Sequence, residues 1–417
     1  MERCYFCIDM KSFFASVECA ERSLNSLDTN LVVADPDRGG GAICLAVSPK
    51  LKSLGVKNRC RLFEIPKDID CIIAKPRMKK YIEYTADIYE IYLKYFSKED
   101  IHVYSIDESF IDVTDYLKLY KIRPKQLAKK LIEEIAVKKG VPSTCGIGTN
   151  MFLAKIALDI TAKNSTDHIS YLNEDIFKEY VWHHKPITDI WQISRGTAKR
   201  LLKYGVTDLK GVTEMKEEIL YKEFGINAEL LIDHAWGREP CLMEDIKAYK
   251  GKSRSISNSQ ILFEDYNFNN ARIVFEEMVQ SLCYEMLNRN VISKSAFFSV
   301  GYSKDVKSPD GGAVKLTEAT NLFSVIITSM LDAFDKSVSK FYPIRKISMG
   351  FSIADSSYEG YDVFIDIDKL NKEKDTEKAV LEIKQKYGKN AMLKGISYQE
   401  GATSKLRNKL VGGHNGE

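Results

Sequence analysis

The chain has 417 residues, which at roughly 150 residues per domain amounts to about two to four domains and excludes a single small module. Charged residues make up 29% and apolar residues 44%, with 61 Lys and Arg against 58 Asp and Glu, so the net charge of +3 is that of an ordinary globular protein. Binding to a polyanion needs a local positive stripe, which such a total neither shows nor excludes. The opening residues 1–18 lack a basic segment followed by a long apolar run, and no later run approaches ~20 apolar residues, so a cytoplasmic protein without membrane contact is expected. Nine scattered cysteines, many inside apolar runs, suit reduced core thiols. Cys4 and Cys7 form a C-x-x-C without a second pair, and zinc generally needs four ligands, so a core role is expected there.

In chain order, Cys4 to Ile8 is a compact apolar run ending at Asp9, and Lys11 to Arg22 has the mixed pattern of a helix. Residues 31–74 carry short β-rich runs, Leu31–Val33 and Ile43–Val47, broken by Gly39-Gly40-Gly41 and followed by a basic patch from Lys50 to Arg61, as in a small α/β insertion. Helical spacing returns from Met78 to Tyr95. Two β-rich arms, Ile101–Ile106 and Phe110–Val113, then bracket Asp107-Glu108-Ser109, predicting a hairpin with the acidic pair near its turn. A helix is predicted from Pro124 to Lys139, ending at Gly140, then a strand from Ser143 to Gly148 and a helix through Ile160 capped by Thr149 or Asn150.

Residues 171–243 read as short helices, Asp175–Val181, Thr197–Tyr204, Lys216–Phe224 and Ala228–Trp236. The polar stretch Lys247–Arg254 reads as a linker. Beyond it, strands Ser257–Phe263, Ser295–Tyr302 and Arg345–Ile353 alternate with helices Asn270–Arg289 and Asn321–Val338 in a β-α-β-α-β order, with Gly311-Gly312 as an intervening turn. Residues 246–350 hold 14 Lys and Arg against 10 Asp and Glu, a more basic balance than that of the whole chain. The charged tail beyond Glu359 is predicted to hold one helix, Asp375–Tyr387, and to pack poorly. Strands alternating with helices place the chain among α/β multidomain proteins.

The chemistry lies in three carboxylates at strand ends: Asp9, and Asp107 with Glu108. Neighbouring side chains of a regular strand face opposite ways, so an adjacent acidic pair shares one site only at a bend or a strand end. Three converging carboxylates repel one another unless a divalent cation with oxygen ligands, Mg²⁺ or Mn²⁺, joins them, and two such ions serve phosphoryl transfer. A solvated turn is the bland alternative.

The string Phe6-Cys7-Ile8-Asp9-Met10-Lys11-Ser12-Phe13-Phe14-Ala15-Ser16-Val17-Glu18, together with Tyr104-Ser105-Ile106-Asp107-Glu108-Ser109-Phe110-Ile111-Asp112-Val113, resembles the two signature motifs of Y-family translesion DNA polymerases, in their order and about 95 residues apart. The likeness extends along most of the chain and lies nearest the UmuC-like branch of Gram-positive bacteria and their mobile elements. It implies a right-hand polymerase: palm 1–18 and 75–170, fingers 19–74, helical thumb 171–243, linker 244–252, β-α-β little finger 253–354 and tail 355–417. It also implies Asp9, Asp107, Glu108 and the carbonyl of Met10 as ligands of two Mg²⁺ ions (or Mn²⁺), Phe14 as a steric gate against ribonucleotides, and Lys11, Ser12, Phe13, Phe14, Ser48, Lys52 and Lys163 around the incoming deoxynucleoside triphosphate.

Two departures accompany these assignments. Pro49 stands where the family often has Tyr, and Lys163 lies one residue further from Lys155 than usual, a slip of ~100° on a regular helix. Thumb glycines are replaced around Gln192 and Ser194, which shifts the expected grip on primer-template DNA to Lys199, Arg200 and Lys203. Lys252, Arg254, Lys294, Arg345 and Lys346, with Lys304 and Lys307, are the little-finger candidates for sequence-independent, salt-sensitive backbone contacts. Tyr361-Asp362-Val363-Phe364 falls where relatives carry a sliding-clamp peptide, without its Gln and Leu anchors. The expectation is a monomeric, template-directed polymerase acting on damaged DNA. The alternatives are a catalytically silent repair adaptor of the same family and a palm-type enzyme making a small molecule, which has no use for a thumb.

Overall fold

The protein is described here by a computed structural model covering residues 3–251, 254–303, 306–356 and 367–416, which leaves Lys252, Lys304 and Tyr361–Phe364 outside the described residues. Two compact units divide the chain, Met1–Tyr249 and Lys250–Gly416. No helix among the described residues is long and apolar enough to cross a membrane.

The first unit begins β1 (Tyr5–Met10), α1 (Phe13–Ala20), β2 (Leu31–Val33), β3 (Ala46–Val47), α2 (Pro49–Ser53), β4 (Ile72–Ala74) and α3 (Met78–Leu93). It continues through β5 (Ile101–Val103), β6 (Glu108–Asp112), α4 (Thr114–Leu119), α5 (Pro124–Lys139), β7 (Ser143–Gly148), α6 (Met151–Ile156) and β8 (Ile169–Leu172). A five-stranded sheet in the order β5-β6-β1-β7-β8 sits at its centre, and a three-stranded sheet, β3-β2-β4, forms from the 31–74 insertion.

Side-chain alternation along β1 gives the central sheet two buried faces. Phe6, Ile8 and Met10 join Val17, Tyr81, Ile88, Leu127 and Leu131 from α1, α3 and α5. Tyr5 and Cys7 join Phe110, Met151 and Ala154 on the α6 side. Each fully buried Phe or Ile contributes about 1.5–3 kcal/mol. Helix α6 can lie this close because β7 carries glycine: a Cβ on Gly146 would fall 2.1 Å from the Ala154 carbonyl oxygen, and one on Gly148 2.1 Å from the Ala154 nitrogen. The acidic hairpin forms as predicted, with a shorter first arm, because β5 ends at Val103 and leaves 104–107 as the connection.

Six helices follow: α7 (Glu174–Tyr180), α8 (Arg195–Leu202), α9 (Leu209–Glu214), α10 (Glu217–Phe224), α11 (Asn227–Ala235) and α12 (Met243–Ala248). Helix α12 corrects the reading of 244–252 as a linker. Met243 is buried beside Tyr5 and Phe110, and the Lys247 ammonium donates to the carbonyls of Lys98 (2.8 Å) and Ile101 (2.7 Å), so distant partners order a segment that composition marks as polar.

The second unit runs β9 (Ser255–Tyr266), α13 (Phe268–Asn288), β10 (Val291–Tyr302), β11 (Asp310–Thr320), α14 (Phe323–Ser337), β12 (Ile344–Asp355), α15 (Ile367–Tyr387), α16 (Ser404–Arg407), β13 (Leu410–Val411) and β14 (His414–Asn415). Its four-stranded sheet has the order β11-β10-β12-β9. The expected β-α-β-α-β order is thus one strand short. Gly311 and Gly312 open β11 and do not form a turn: Gly311 has φ 129°, and a Cβ there would fall 2.2 Å from the Phe298 carbonyl oxygen on β10. Glycine within a strand marks such a close backbone approach.

The described tail also packs better than predicted. Glu277 of α13 accepts from the backbone N–H groups of Thr403 (2.8 Å) and Ser404 (3.0 Å), and Arg407 donates to Gln260 at 3.1 Å. Lys394 lies 3.7 Å from the Phe323 ring centroid.

Candidate active site

A cleft of about 620 Å³ opens in the first unit at the ends of β1 and β6. Its floor is Asp9, Met10 and Asp107, and its walls include Phe14, Lys52, Arg59 and Lys163. Asp9 is the penultimate residue of β1 and pairs in register with Glu108, while the N–H of Met10 donates to the Asp107 carbonyl at 3.0 Å. Strand pairing alone therefore brings together three carboxylates that are about 100 residues apart in the chain.

Their surroundings differ. Burial, and then the charge of Asp107, push the Asp9 carboxyl up to about 7. The Asp107 carboxylate accepts from the Ser105 hydroxyl at 2.7 Å and lines the cleft. Glu108 is set back and engaged on both oxygens: Oε2 accepts from Lys155 Nζ at 2.8 Å, and Oε1 lies 3.1 Å from Cys7 Sγ. Lys155 also pairs with Asp159 at 3.0 Å, and Asp159 with Lys163 at 2.9 Å, so an alternating chain of charges runs from Glu108 to the cleft wall. Burial works against a charged Lys155, yet Cys7, Asp159 and Glu108 outweigh it and hold its ammonium above the ordinary lysine range.

The residues present fit a divalent cation at Asp9 and Asp107. A cation between two nearby carboxylates, one of them raised by burial and then by the other's charge, would ionise both. No group of three or more His, Cys, Asp or Glu among the described residues converges tightly enough for one ion, because Glu108 faces Lys155.

Lys163 reaches the cleft through an irregularity. Helix α6 passes into a π turn, Ala157–Thr161, and then a 3₁₀ turn, Ala162–Asn164. A π turn holds one residue more than an α turn. It absorbs the extra residue between Lys155 and Lys163 and returns Lys163 to the face of Lys155, where both meet Asp159.

Phe14 forms part of the cleft wall and stacks on Tyr81, with ring centroids 4.4 Å apart and planes at 15°, while Phe13 is buried behind it. The Tyr81 hydroxyl donates to Glu18 at 2.9 Å, and Arg77 donates to both oxygens of Glu18 at 2.9 Å. Burial alone would raise Glu18, but Arg77, Arg22 and Tyr81 outweigh it and keep the carboxyl below the usual range.

Helix α1 begins after Ser12, which is left-handed at φ 48°, and offers the free N–H groups of its first turn. The Lys11 N–H is not among them, since it donates to the Pro142 carbonyl at 2.8 Å, and the Lys11 ammonium lies 2.9 Å from His168 Nδ1. Lys52 is held below its ordinary value by loss of solvent and by the charge of Lys163, which marks two cations facing the same space. Ser48 is placed differently from the prediction. It is fully buried, and its hydroxyl caps α2 through the Leu51 N–H (3.3 Å) and donates to the Thr29 carbonyl (2.7 Å), so it positions Lys52 and does not line the cleft.

The DNA-contact candidates separate in the same way. Lys199 and Lys203 are exposed on α8 and just after it, with Lys203 4.0 Å from Glu223. Arg200 is committed to packing: it donates to the Glu223 carbonyl at 2.6 Å and lies 4.3 Å from the Phe224 ring centroid. In the second unit Arg254, Lys294 and Lys346 are exposed, Lys294 at a bulge in β10, whereas Arg345 pairs with Asp265 at 3.5 Å and Lys307 with Asp310 at 2.7 Å. Sequence reasoning missed Lys155, Asp159, Tyr81 and Arg59. An i, i+4 spacing links Lys155 to Asp159, but nothing local links either to Glu108.

Residues 8–159 match the impB/mucB/samB family. The chain is 30% identical over 415 residues to a Bacillus subtilis (strain 168) protein named for UV-damage repair, UvrX, covering 98% of this chain and 96% of that one. It is 28% identical over 429 residues to DNA polymerase IV 2 of the same organism, covering 99% of each. Among solved structures, a Y-family DNA polymerase chimera superposes with a TM-score of 0.62 at 19% identity, over 84% of this chain and 98% of that one.

Proposed function

Because the chain belongs to the impB/mucB/samB family of Y-family DNA polymerases, we propose that it is an active, template-directed polymerase that adds deoxynucleotides to a primer across damaged template. The observation that carries this reading is the single cleft holding Asp9 and Asp107 on its floor, Phe14 in its wall and Lys52 and Lys163 beside them. Family membership supports a DNA-directed DNA polymerase; activity in this chain, lesion bypass, metal identity and residue roles are the proposal.

Asp9 and Asp107, with the Met10 carbonyl, would hold divalent cations, Mg²⁺ or Mn²⁺, and Glu108 would join them on exchanging Lys155 for the ion. Bound there, such ions lower the pKa of a primer 3′-hydroxyl and neutralise charge on the departing pyrophosphate. Lys52, Lys163 and the first-turn N–H groups of α1 bind and orient the triphosphate from the opposite side. Phe14, supported by Tyr81, excludes a sugar 2′-hydroxyl. In this reading the exposed Lys199, Lys203, Arg254, Lys294 and Lys346 hold the duplex through its phosphates, and Arg200 and Arg345 mainly hold the protein together. Among the described residues the cleft is lined by one chain alone, which favours a monomer, and the likeness to DNA polymerases favours action on DNA in the cytoplasm.

One observation favours the silent adaptor: the Lys155–Glu108 ion pair occupies a carboxylate that catalysis needs. Primer extension on undamaged and abasic templates with Mg²⁺ separates the two. The wild type is expected to extend, and Asp107→Ala to lose at least about 10³-fold in rate, of the order of one preorganised charge-stabilising group. A wild type that extends nothing sinks the polymerase reading, and an undiminished mutant sinks the metal assignment.

A further inference from the structure

Six buried side-chain oxygens among the described residues have no hydrogen-bond partner, and only one of them, Oγ1 of Thr144, belongs to a residue that lines the cleft. Thr144 lies on β7 and is 1% exposed. A buried hydroxyl left unpartnered lowers stability, and the β-branched hydrocarbon of Val fills a strand position equally well. Folding therefore gives no reason for the hydroxyl. The neighbouring Ser143 also has an unpartnered hydroxyl, but adjacent side chains of a strand face opposite ways, and Ser143 falls outside the cleft lining.

Strand register places the Thr144 hydroxyl beside the candidate metal ligands. Thr144 pairs directly with Asp9 across β7 and β1, and Asp9 pairs with Glu108 across β1 and β6, so Glu108, Asp9 and Thr144 stand in one row on the same face of the sheet. Directly opposed side chains have Cβ atoms about 4.5–5.5 Å apart, close enough for a hydroxyl and a carboxylate to meet after a χ1 rotation. At one end of the row Glu108 has both oxygens engaged, by Lys155 and Cys7. In the middle, the Asp9 carboxylate accepts no hydrogen bond from a described residue, and at the other end Thr144 donates none. An unused acceptor and an unused donor thus stand side by side at the cleft floor.

On the cation reading above, we propose that Thr144 is a positioning residue whose hydroxyl donates to Asp9 when a divalent cation is bound. With one oxygen of Asp9 on the ion, the other is the acceptor left for Thr144, and the bond fixes which oxygen faces the ion. Carboxylates that ligate metals are held by such hydrogen bonds, and a hydroxyl donating to a carboxylate makes one of the stronger kinds.

The test measures binding of Mn²⁺ alone to the full-length protein, without DNA or nucleotide, by the electron paramagnetic resonance of the free ion. Wild type, Thr144→Val, Thr144→Ser and Asp107→Ala are compared, and the metal-free Tm of each is recorded. Thr144→Val keeps the shape and removes the hydroxyl; it is expected to raise the Mn²⁺ Kd about 10–100-fold, the range for a lost partner of a metal ligand. Its metal-free Tm should equal or exceed that of the wild type, since an unpartnered hydroxyl has gone. Thr144→Ser restores the donor and is expected to return most of the affinity. An unchanged Kd in Thr144→Val overturns the proposal whatever its Tm, and so does a Thr144→Ser that binds as weakly as Thr144→Val, which would make the loss one of packing. Asp107→Ala separates that failure from failure of the cation reading. It should weaken Mn²⁺ binding even if Thr144 plays no part, and wild-type affinity retained in Asp107→Ala would overturn the cation site and this inference with it.

Discussion

Phe14 owes its position to residues outside the lining of the cleft. Its ring lies on Tyr81, whose hydroxyl is tied to the fully buried Glu18, which in turn takes a two-point contact from Arg77. On the proposed reading, a ring fixed in this way yields little to a 2′-hydroxyl. Phe14→Ala is therefore expected to raise ribonucleotide incorporation by at least tenfold, of the order of one excluded contact, read as the ratio of kcat/KM for ribo- and deoxynucleotides; an unchanged ratio would remove the gate role. Asp9, Asp107 and Phe14 were legible in the sequence because each sits in a short motif with its own local pattern, a strand end followed by a helix start or a tight turn. Tyr81, Lys155 and Arg59 were not. Tyr81 reads as one more apolar position of a helix, Lys155 acquires its meaning from Glu108 some 47 positions away, and the strained backbone of Arg59 leaves no mark in composition.

Among the elements, the π turn at Ala157–Thr161 has the most direct bearing on the site, since it decides where Lys163 faces. Sequence spacing on an assumed regular helix turns Lys163 away by ~100°, and the turn cancels that rotation. Deleting Ile160 should relax the segment to an α-helix with Lys163 still on the cleft side. The deletion is expected to keep the nucleotide KM within about twofold of the wild type, whereas Lys163→Ala should raise it about tenfold, the scale of one charge-assisted hydrogen bond. A deletion as damaging as Lys163→Ala would contradict this account. Most of the longer elements, α5 and the acidic hairpin among them, followed from capping residues and periodicity. Strand β11 did not, because Gly311-Gly312 carries the usual signature of a turn and only the closeness of β10 gives it another use.

At the scale of the molecule, the near-neutral charge conceals a division of labour, with carboxylates gathered at the cleft floor of the first unit and exposed lysines on both units. The second unit also carries a pH-sensitive joint in its docked tail. Burial, and to a lesser extent Glu373, push Glu377 of α15 up to about 7, with Lys394 opposing the shift. An acid whose folded value lies above its unfolded value stabilises fully below about 4.5, and that contribution fades as pH rises through about 7. Glu377→Gln is accordingly expected to match the wild type near pH 5 and to exceed it near pH 8 by up to about 3 kcal/mol, from roughly two and a half pK units at 1.36 kcal/mol each. Thermal denaturation at the two pH values checks it, and identical differences at both would remove Glu377 as the cause.

By itself the sequence determined the family, most of the longer strands and helices in the first 160 residues, and the candidates Asp9, Asp107 and Phe14 that line one cleft, because these depend on motifs and periodicities spanning a few residues each. Only the tertiary structure decided that Glu108 rests on Lys155, that Ser48 is buried against the Thr29 carbonyl, that Arg200 packs against Phe224, and that the tail docks through Glu277. Each of those outcomes is a contact between residues distant in the chain. The partner that satisfies a buried charge or donor is chosen by packing, which no local pattern records.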